Sequence, residues 1–330
     1  MRKEHLGYLA CPDCKKELSL QSKEEHEGEV KEGELSCGAC KKKFPIAGFI
    51  PRFVQEKHYA DSFGFQWLRH AKTQLDSVIG LSVSKQRFFE ATKWPENLES
   101  EVILEVGGGA GRFTEVAADT GALVVSLDAS RAVEANYESN GWRKNLLLVQ
   151  ADVGYAPFLP ASFDRVFCLG VIQHTADPRQ TFQIIASFAK KGGTLVVDVY
   201  GKSLARRILH GKYWVRTFTS RMDHKTLYPL VEGWVNFWWP VTSFIARRIP
   251  QGRRINRLVF LIADYTGYLP LSSNQLKEWA VLDTFDMLSP RYDKPSTVSE
   301  VKDWFKKAGF QNIDVDDQHD KRVEGRGVKL

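Results

Sequence analysis

The chain has 330 residues, 43% hydrophobic and 26% charged, which is the profile of a globular protein with material for one large domain or two. No run of about 18 apolar residues exists, so no membrane span is expected. The start, Met1-Arg-Lys-Glu-His-Leu, lacks the apolar core of a secretory signal, so a cytoplasmic location is expected. The net charge of +6 is unevenly spread: residues 200–260 hold twelve Lys/Arg against Asp223 and Glu232, which leaves the rest of the chain net acidic.

Residues 1–54 contain four of the five cysteines. Cys11-Pro-Asp-Cys14 and Cys37-Gly-Ala-Cys40 are two C-x-x-C knuckles with 22 residues between them. Such spacing places four thiolates tetrahedrally around one ion. A closed, structural zinc site is expected, with rubredoxin-like iron as the alternative; a reducing cytoplasm argues against two disulfides. The segment is too small to make a core alone, so metal binding would supply much of its folding free energy.

Residues 55–100 read as a helical cover, with Tyr59, Phe63, Phe65, Trp67 and Leu68 crowding one region and Gln66 among them. From 101 to 200 the pattern alternates strand and helix, which argues for a parallel sheet with helices on both faces. The first strand, 101–106, ends in the turn Gly107-Gly-Gly109-Ala-Gly111 and a helix start. Glycines let a backbone approach a ligand closely, and a helix start offers free N–H groups. A dinucleotide fingerprint would need glycine at 112, where Arg112 stands. The second strand ends in Asp128, where ribose hydroxyls arrive in such folds. The third runs from Leu146 to Gln150 and leads into Ala151-Asp152-Val153. The fourth, Asp164 to Leu169, opens into the loop that carries His174; a helix that stops at Gly192-Gly193 and a fifth strand from Thr194 follow. Cys168, inside the fourth strand, reads as a buried small residue.

Glu105-x-Gly107-x-Gly109-x-Gly111, with acids closing the next two strands, resembles the class I S-adenosylmethionine-dependent methyltransferases. The paired knuckles are similar to the zinc-ribbon leaders of some bacterial methyltransferases and to the small Trm112-like proteins. The resemblance implies a Rossmann-like α/β core that binds S-adenosylmethionine. It places Glu105, Gly107, Gly109 and Gly111 under the amino-acid part of the cofactor, Asp128 and Ala129 at the ribose, Asp152 and Val153 at the adenine, and Leu169 beside the ligand. Tyr59, Gln66 and Trp67 would then lie near the methionine end.

Residues 297–330 hold the helix and two strands that complete such a core, starting at the capping box Thr297-Val-Ser-Glu300. Residues 201–296 are therefore an insertion after the fifth strand, where this family inserts a substrate lid. It is basic and aromatic, with Trp214, Trp234, Trp238 and Trp239 and the pairs Arg206-Arg207, Arg247-Arg248 and Arg253-Arg254. Three uses compete: a lid whose aromatics line an apolar pocket while its arginines face water, a lid that also rests on an anionic membrane surface, and a nucleic-acid face. Its tail, 282–293, reads as a loop similar to one in methyltransferases of bacterial sugar and natural-product pathways.

His174, just past the fourth strand, suits a general base for a hydroxyl nucleophile, or else it orders its loop. Asp286, Arg291 and Tyr292 are substrate-side candidates, with a local surface ion pair as the alternative. The chain lacks the Asn/Asp-Pro-Pro-Tyr and Pro-Cys signatures of base-amino and pyrimidine-C5 methylation. A small-molecule acceptor, sugar-like, lipid-linked or secondary-metabolite, is expected, with peripheral membrane contact through the lid. Nucleic acid and an obligate protein partner are not expected. The competing readings are an RNA methyltransferase and a non-catalytic interaction protein that keeps the fold.

Overall fold

A computed structural model describes residues 1–54, 61–202, 211–318 and 322–330. Strands β1 (Leu18–His26), β2 (Glu29–Cys37), β3 (Lys43–Ala47) and β4 (Ile50–Pro51) form an antiparallel sheet in sequential order. The main sheet has seven strands: β5 (Val102–Val106), β6 (Leu123–Asp128), β7 (Leu146–Gln150), β8 (Phe163–Leu169), β9 (Ala189–Tyr200), β10 (Phe310–Asp317) and β11 (Arg322–Lys329). Their order is β10-β11-β9-β8-β5-β6-β7; β5 to β9 run parallel, and β11 is antiparallel to both its neighbours. The chain leaves β5 outward through β6 and β7, then restarts on the other side with β8. The strand order therefore reverses between β5 and β8, and a crevice opens at their carboxyl ends.

The apolar runs dictate these positions. All five residues of β7 (Leu-Leu-Leu-Val-Gln) and four of the five in β5 are buried, because helices cover both faces of a parallel sheet. Edge strand β10 instead alternates and exposes its acids. The helices of this half are α1 (Asp61–Arg69), α2 (Asp76–Ile79), α3 (Val83–Thr92), α4 (Arg112–Asp119), α5 (Ala132–Asn140) and α6 (Pro178–Ser187). Among the described residues, the helical cover expected over 55–100 is three separate helices, and Gly80, at φ 69°, ends the second. Gly192-Gly193 does not end α6. That helix stops at Ser187, and the glycines sit inside β9 as an irregularity in its pairing with β8.

The small sheet docks on the open edge of β7: Arg52 bridges Gln150, and the Phe53 N–H donates to the Gln150 carbonyl at 2.7 Å. Its buried residues Leu18, Val30, Leu35 and Phe44 share one apolar core with Leu147 and Val149.

The insertion contains α7 (Gly211–Thr219), α8 (His224–Arg248), α9 (Gly252–Ile255), a π turn (Asn256–Phe260) and α10 (Ser273–Leu288). Helix α11 (Val298–Lys307) returns the chain to the core. The tail expected as a loop from 282 to 293 is helical as far as Leu288. A capping box between Ser272 and Gln275 starts α10, and Leu276, Trp279, Ala280, Leu282, Phe285 and Leu288 bury it. Among the described residues no helix is long and apolar enough to cross a membrane.

Candidate functional site

A cleft of about 1620 Å³ lies over the carboxyl ends of the parallel strands and under the insertion. On the core side it is lined by Gly107 to Ala110, Asp128, Ala129, Ala151, Val153 and Leu169. Gly107 adopts φ 83°, and a Cβ there would enter Val171, so no other residue fits the turn. The turn is stapled to the end of β6. The N–H groups of Gly107 and Gly108 donate to the Leu127 carbonyl, and that of Gly109 donates to Asp128 Oδ2 at 2.9 Å. Asp128 Oδ1 accepts from the N–H and the hydroxyl of Ser130, which fixes the carboxylate at the cleft wall. Asp152 Oδ1 accepts from the Gly154 N–H at 2.6 Å and turns the chain, so that Val153 and Ala151 line the cleft while Asp152 stands beside it.

Glu105 and Gly111 lie behind the turn. Glu105 is 2% exposed and accepts from the Thr114 hydroxyl. Gly111, at φ 95°, has the side chains of Asn136 and Asn140 where a Cβ would go. Burial pushes the Glu105 carboxyl up to about 7, against hydrogen bonds from Thr114 and Ser126 that favour the charged form. The folded state therefore holds this proton more tightly than the unfolded state. The contribution to stability is full below the unfolded value near 4.5 and is lost as pH rises through about 7. In thermal melts, the stability of Glu105→Gln relative to the parent should thus rise between pH 5 and pH 7. A difference that stays flat with pH would show that the carboxyl is ionised throughout.

Over the turn, Trp67 packs its indole on Gly109, and Gln66, 1% exposed, extends Nε2 to Asp286 Oδ1 at 3.5 Å. Gln66 Oε1 is buried without a hydrogen-bond partner among the described residues. An orphaned acceptor beside a glycine cradle fits a ligand with donor groups at that end of the cleft. Tyr59 lies outside the described residues.

His174 is 6% exposed and in contact with the rings of Phe63 and Tyr200, with centroids at 5.2 and 5.4 Å. Its Nδ1 lies 2.9 Å from the Tyr292 carbonyl. A carbonyl only accepts, so in the neutral ring Nδ1 carries the proton and Nε2 keeps a lone pair. Tyr292 thus meets His174 through its backbone. Neither Tyr292 nor Arg291 lines the cleft, whereas Asp286 does.

Several lining residues escape sequence reasoning. Asp283, one turn before Asp286 on α10, accepts from the Tyr265 hydroxyl and from Gln74 Nε2, and burial pushes its carboxyl up to about 6. The helical spacing of the two aspartates is the available signal, and reading the segment as a loop hides it. Asp293 is paired with Lys212 at 3.0 Å and with Arg216 at 3.8 Å. Burial alone would raise its carboxyl, but these two cations outweigh burial and hold it below the usual range. Lys212, Arg253, Arg254 and Arg257 line the lid side, and no carboxylate lies within ion-pair distance of the three arginines among the described residues. Of the lid's aromatic residues, Tyr213, Tyr265, Tyr268 and Trp279 line the cleft, while Trp214, Trp234, Phe237 and Phe244 are exposed; Arg253, Arg254 and Arg257 line its mouth and are themselves exposed to solvent.

In the small sheet the sulfurs of Cys11, Cys14, Cys37 and Cys40 lie within 4.8 Å of one another; the Cys11–Cys40 and Cys14–Cys37 pairs are at 3.4 Å. Tetrahedral Zn–S bonds of about 2.3 Å require S···S spacings of roughly 3.8 Å, which these distances bracket. Backbone N–H groups of Lys16, Cys40 and Lys42 point at the sulfurs of Cys14, Cys37 and Cys40, an arrangement that suits thiolates. The set fits a structural zinc ion.

Residues 104–197 match the family profile described as a methyltransferase domain, and residues 2–47 match that of Trm112p-like proteins. The chain carries a class I S-adenosylmethionine-dependent methyltransferase domain behind a Trm112-like segment. Relatives of the methyltransferase domain include the ubiquinone biosynthesis O-methyltransferase of Xanthomonas campestris pv. campestris, 29% identical over 128 residues, or 37% of this chain and 54% of that one. The biotin biosynthesis bifunctional protein BioHC of Cellvibrio japonicus is 31% identical over 156 residues (45% and 28%). The tRNA U34 carboxymethyltransferase of Desulfotalea psychrophila is 28% identical over 135 residues (38% and 42%). The chain thus spans about half the length of these relatives, or less. A solved chain from a Haloferax volcanii complex containing the Trm112 methyltransferase activator aligns at a TM-score of 0.45 with 14% identity, covering 81% of this chain and 97% of that one. The methyltransferase domain supplies the core wall of the cleft, and its neighbours in sequence supply the rest.

Proposed function

We propose that this protein transfers a methyl group from S-adenosylmethionine to an oxygen of a small-molecule acceptor. The acceptor is sugar-like, lipid-linked or a secondary metabolite. The observation that carries the reading is that the glycine turn, Asp128, the 151–153 loop and His174 line one cleft, whose lid side includes Lys212, Arg253, Arg254 and Arg257. S-adenosylmethionine, when bound, supplies an electrophilic methyl on its sulfonium. Asp128 would hold the ribose, Ala151 and Val153, with Asp152 beside them, would hold the adenine, and Gln66 Oε1 would accept from the amino end. Trp67 closes the methionine side and excludes water.

His174 accepts the acceptor's hydroxyl proton at Nε2, since the Tyr292 carbonyl keeps the other ring nitrogen protonated. Lys212, Arg253, Arg254 and Arg257 favour an acceptor with an anionic group. The O-methyltransferase among the relatives supports oxygen as the methylated atom. The Trm112-like segment is read as an internal partner, already docked on its own methyltransferase core.

Calorimetry with S-adenosylhomocysteine tests the assignment. Binding is expected in the parent, and at least about tenfold weaker binding in Asp128→Ala, the scale of a lost hydrogen bond to a charged group. Absence of binding in the parent would remove the methyltransferase reading.

A further inference from the structure

Helix α8 has an unpartnered side. Leu230, Trp234, Phe237, Val241 and Phe244 are all exposed, Phe237 to 72% and Phe244 to 61%. At 100° per residue these five fall within an arc of about 80°. Leu227, Tyr228, Val231, Val235 and Trp239 occupy another arc and pack the lid core. On α7, Trp214 and Phe218 are exposed as well, at 70% and 76%. Isolated exposed apolar residues need no explanation, but five on one arc of a single helix do.

The charges around the row select what covers it. From His224 to Ala263 the chain holds six Lys/Arg and a single acid, Glu232. Arg247 and Arg248 stand at the end of the row and are exposed. The row is also tied to the cleft mouth. Trp234 Nε1 donates to the Phe260 carbonyl at 2.7 Å, and that same turn puts Arg257 and Leu258 into the cleft lining. Aromatic side chains flanked by arginines match the headgroup zone of an anionic bilayer. A second copy of the chain would bring the same cations to the seam, with Asp223 at the cap of α8 and Glu232 as the acids of this segment to offset them.

We infer that the outer face of α7 and α8 is a docking surface for an anionic lipid bilayer, which sets the mouth of the cleft at headgroup level. The surface stands whether or not the methyl-transfer reading holds. The delivery of a membrane-borne acceptor to the cleft rests on that reading.

Co-flotation of the full chain with vesicles tests it, using phosphatidylcholine alone and an equal mixture with phosphatidylglycerol. Binding is expected to the mixture and not to phosphatidylcholine, and it should weaken with added salt. Phe218→Ser/Phe237→Ser/Phe244→Ser should bind about tenfold more weakly or worse, and Arg247→Ala/Arg248→Ala should weaken binding and flatten the salt dependence. None of these residues lines the cleft, so S-adenosylhomocysteine binding and circular dichroism should be unchanged, which separates a failed surface from a failed cofactor site or a failed fold. Parent protein that stays with the lipid-free fraction overturns the inference, as does a triple variant that binds like the parent. A parent dimer that the triple variant converts to monomer, without vesicle binding, would assign the face to a second copy.

Discussion

Stripping the metal from the four-cysteine site, or replacing Cys37 by Ser, should unfold residues 1–54 and weaken cofactor binding on the main sheet. Structural zinc contributes on the order of 10 kcal/mol to the folding of a small domain, more than the few kcal/mol such a segment's own core supplies. Besides its docking at Gln150, the segment makes a group of contacts on one stretch of the core. The Ala10 N–H donates to the Pro157 carbonyl at 2.7 Å, Lys15 Nζ to the Ala156 carbonyl at 3.0 Å, and Lys42 Nζ to Tyr155 Oη at 3.3 Å. Tyr155 in turn donates to Asp13. This stretch follows Asp152 and Val153, the residues proposed to hold the adenine. Loss of the metal should therefore appear as new proteolytic sites before residue 54, and as about tenfold weaker S-adenosylhomocysteine binding with the main sheet retained by circular dichroism. Metal analysis of the parent should find one zinc per chain. A chain that is folded, metal-free and fully competent for binding would refute both the site and the coupling.

Replacing His174 by Ala should lower turnover by about 10² to 10⁴, the range for loss of a positioned general base, while S-adenosylhomocysteine affinity changes little. The ring is in contact with Phe63 and Tyr200 and its Nδ1 is engaged by the Tyr292 carbonyl, so its orientation is set in advance of substrate binding. His174→Gln separates the roles. Glutamine can keep a hydrogen bond to the carbonyl and order the loop, but it cannot take a proton. Turnover restored by Gln would make His174 a positioning residue, and turnover unchanged in Ala would remove it from the chemistry.

The parts of this protein written in short spacings are legible in the amino-acid sequence alone. The strand–turn–helix at Gly107, the acids at Asp128 and Asp152 and the paired knuckles each belong to one or two adjacent elements. The β-strand period and the tight turn leave their residues few places to point. The seven-strand α/β core follows from the same signals, and the family profile covers the stretch from its first strand to its fifth. Glu105 reads as a contact because it ends the first strand. Its neighbours Thr114 and Ser126, on other elements, decide that it faces away from the cleft.

The insertion shows what only the tertiary structure decides. Its composition is basic and aromatic, which leaves three uses open: aromatics lining a pocket with arginines facing water, a lid resting on an anionic membrane surface, and a nucleic-acid face. A helix with apolar residues on more than one arc can bury only the arc that finds a partner. In α8 that arc is the one carrying Val231, Val235 and Trp239, which meets α10. The other aromatics are left outside, and the arginines of the following turn are carried to the cleft. Lys212 and Asp293 pair across 81 residues of chain and share the cleft wall with Asp283, a juxtaposition that no periodicity encodes. By itself the sequence determined the core, the cofactor-type turn and the metal-type knuckles, because each is fixed by local backbone geometry. Which face of the lid meets the substrate and which meets the surroundings was settled by packing between distant elements, because that choice depends on the partner each helix finds.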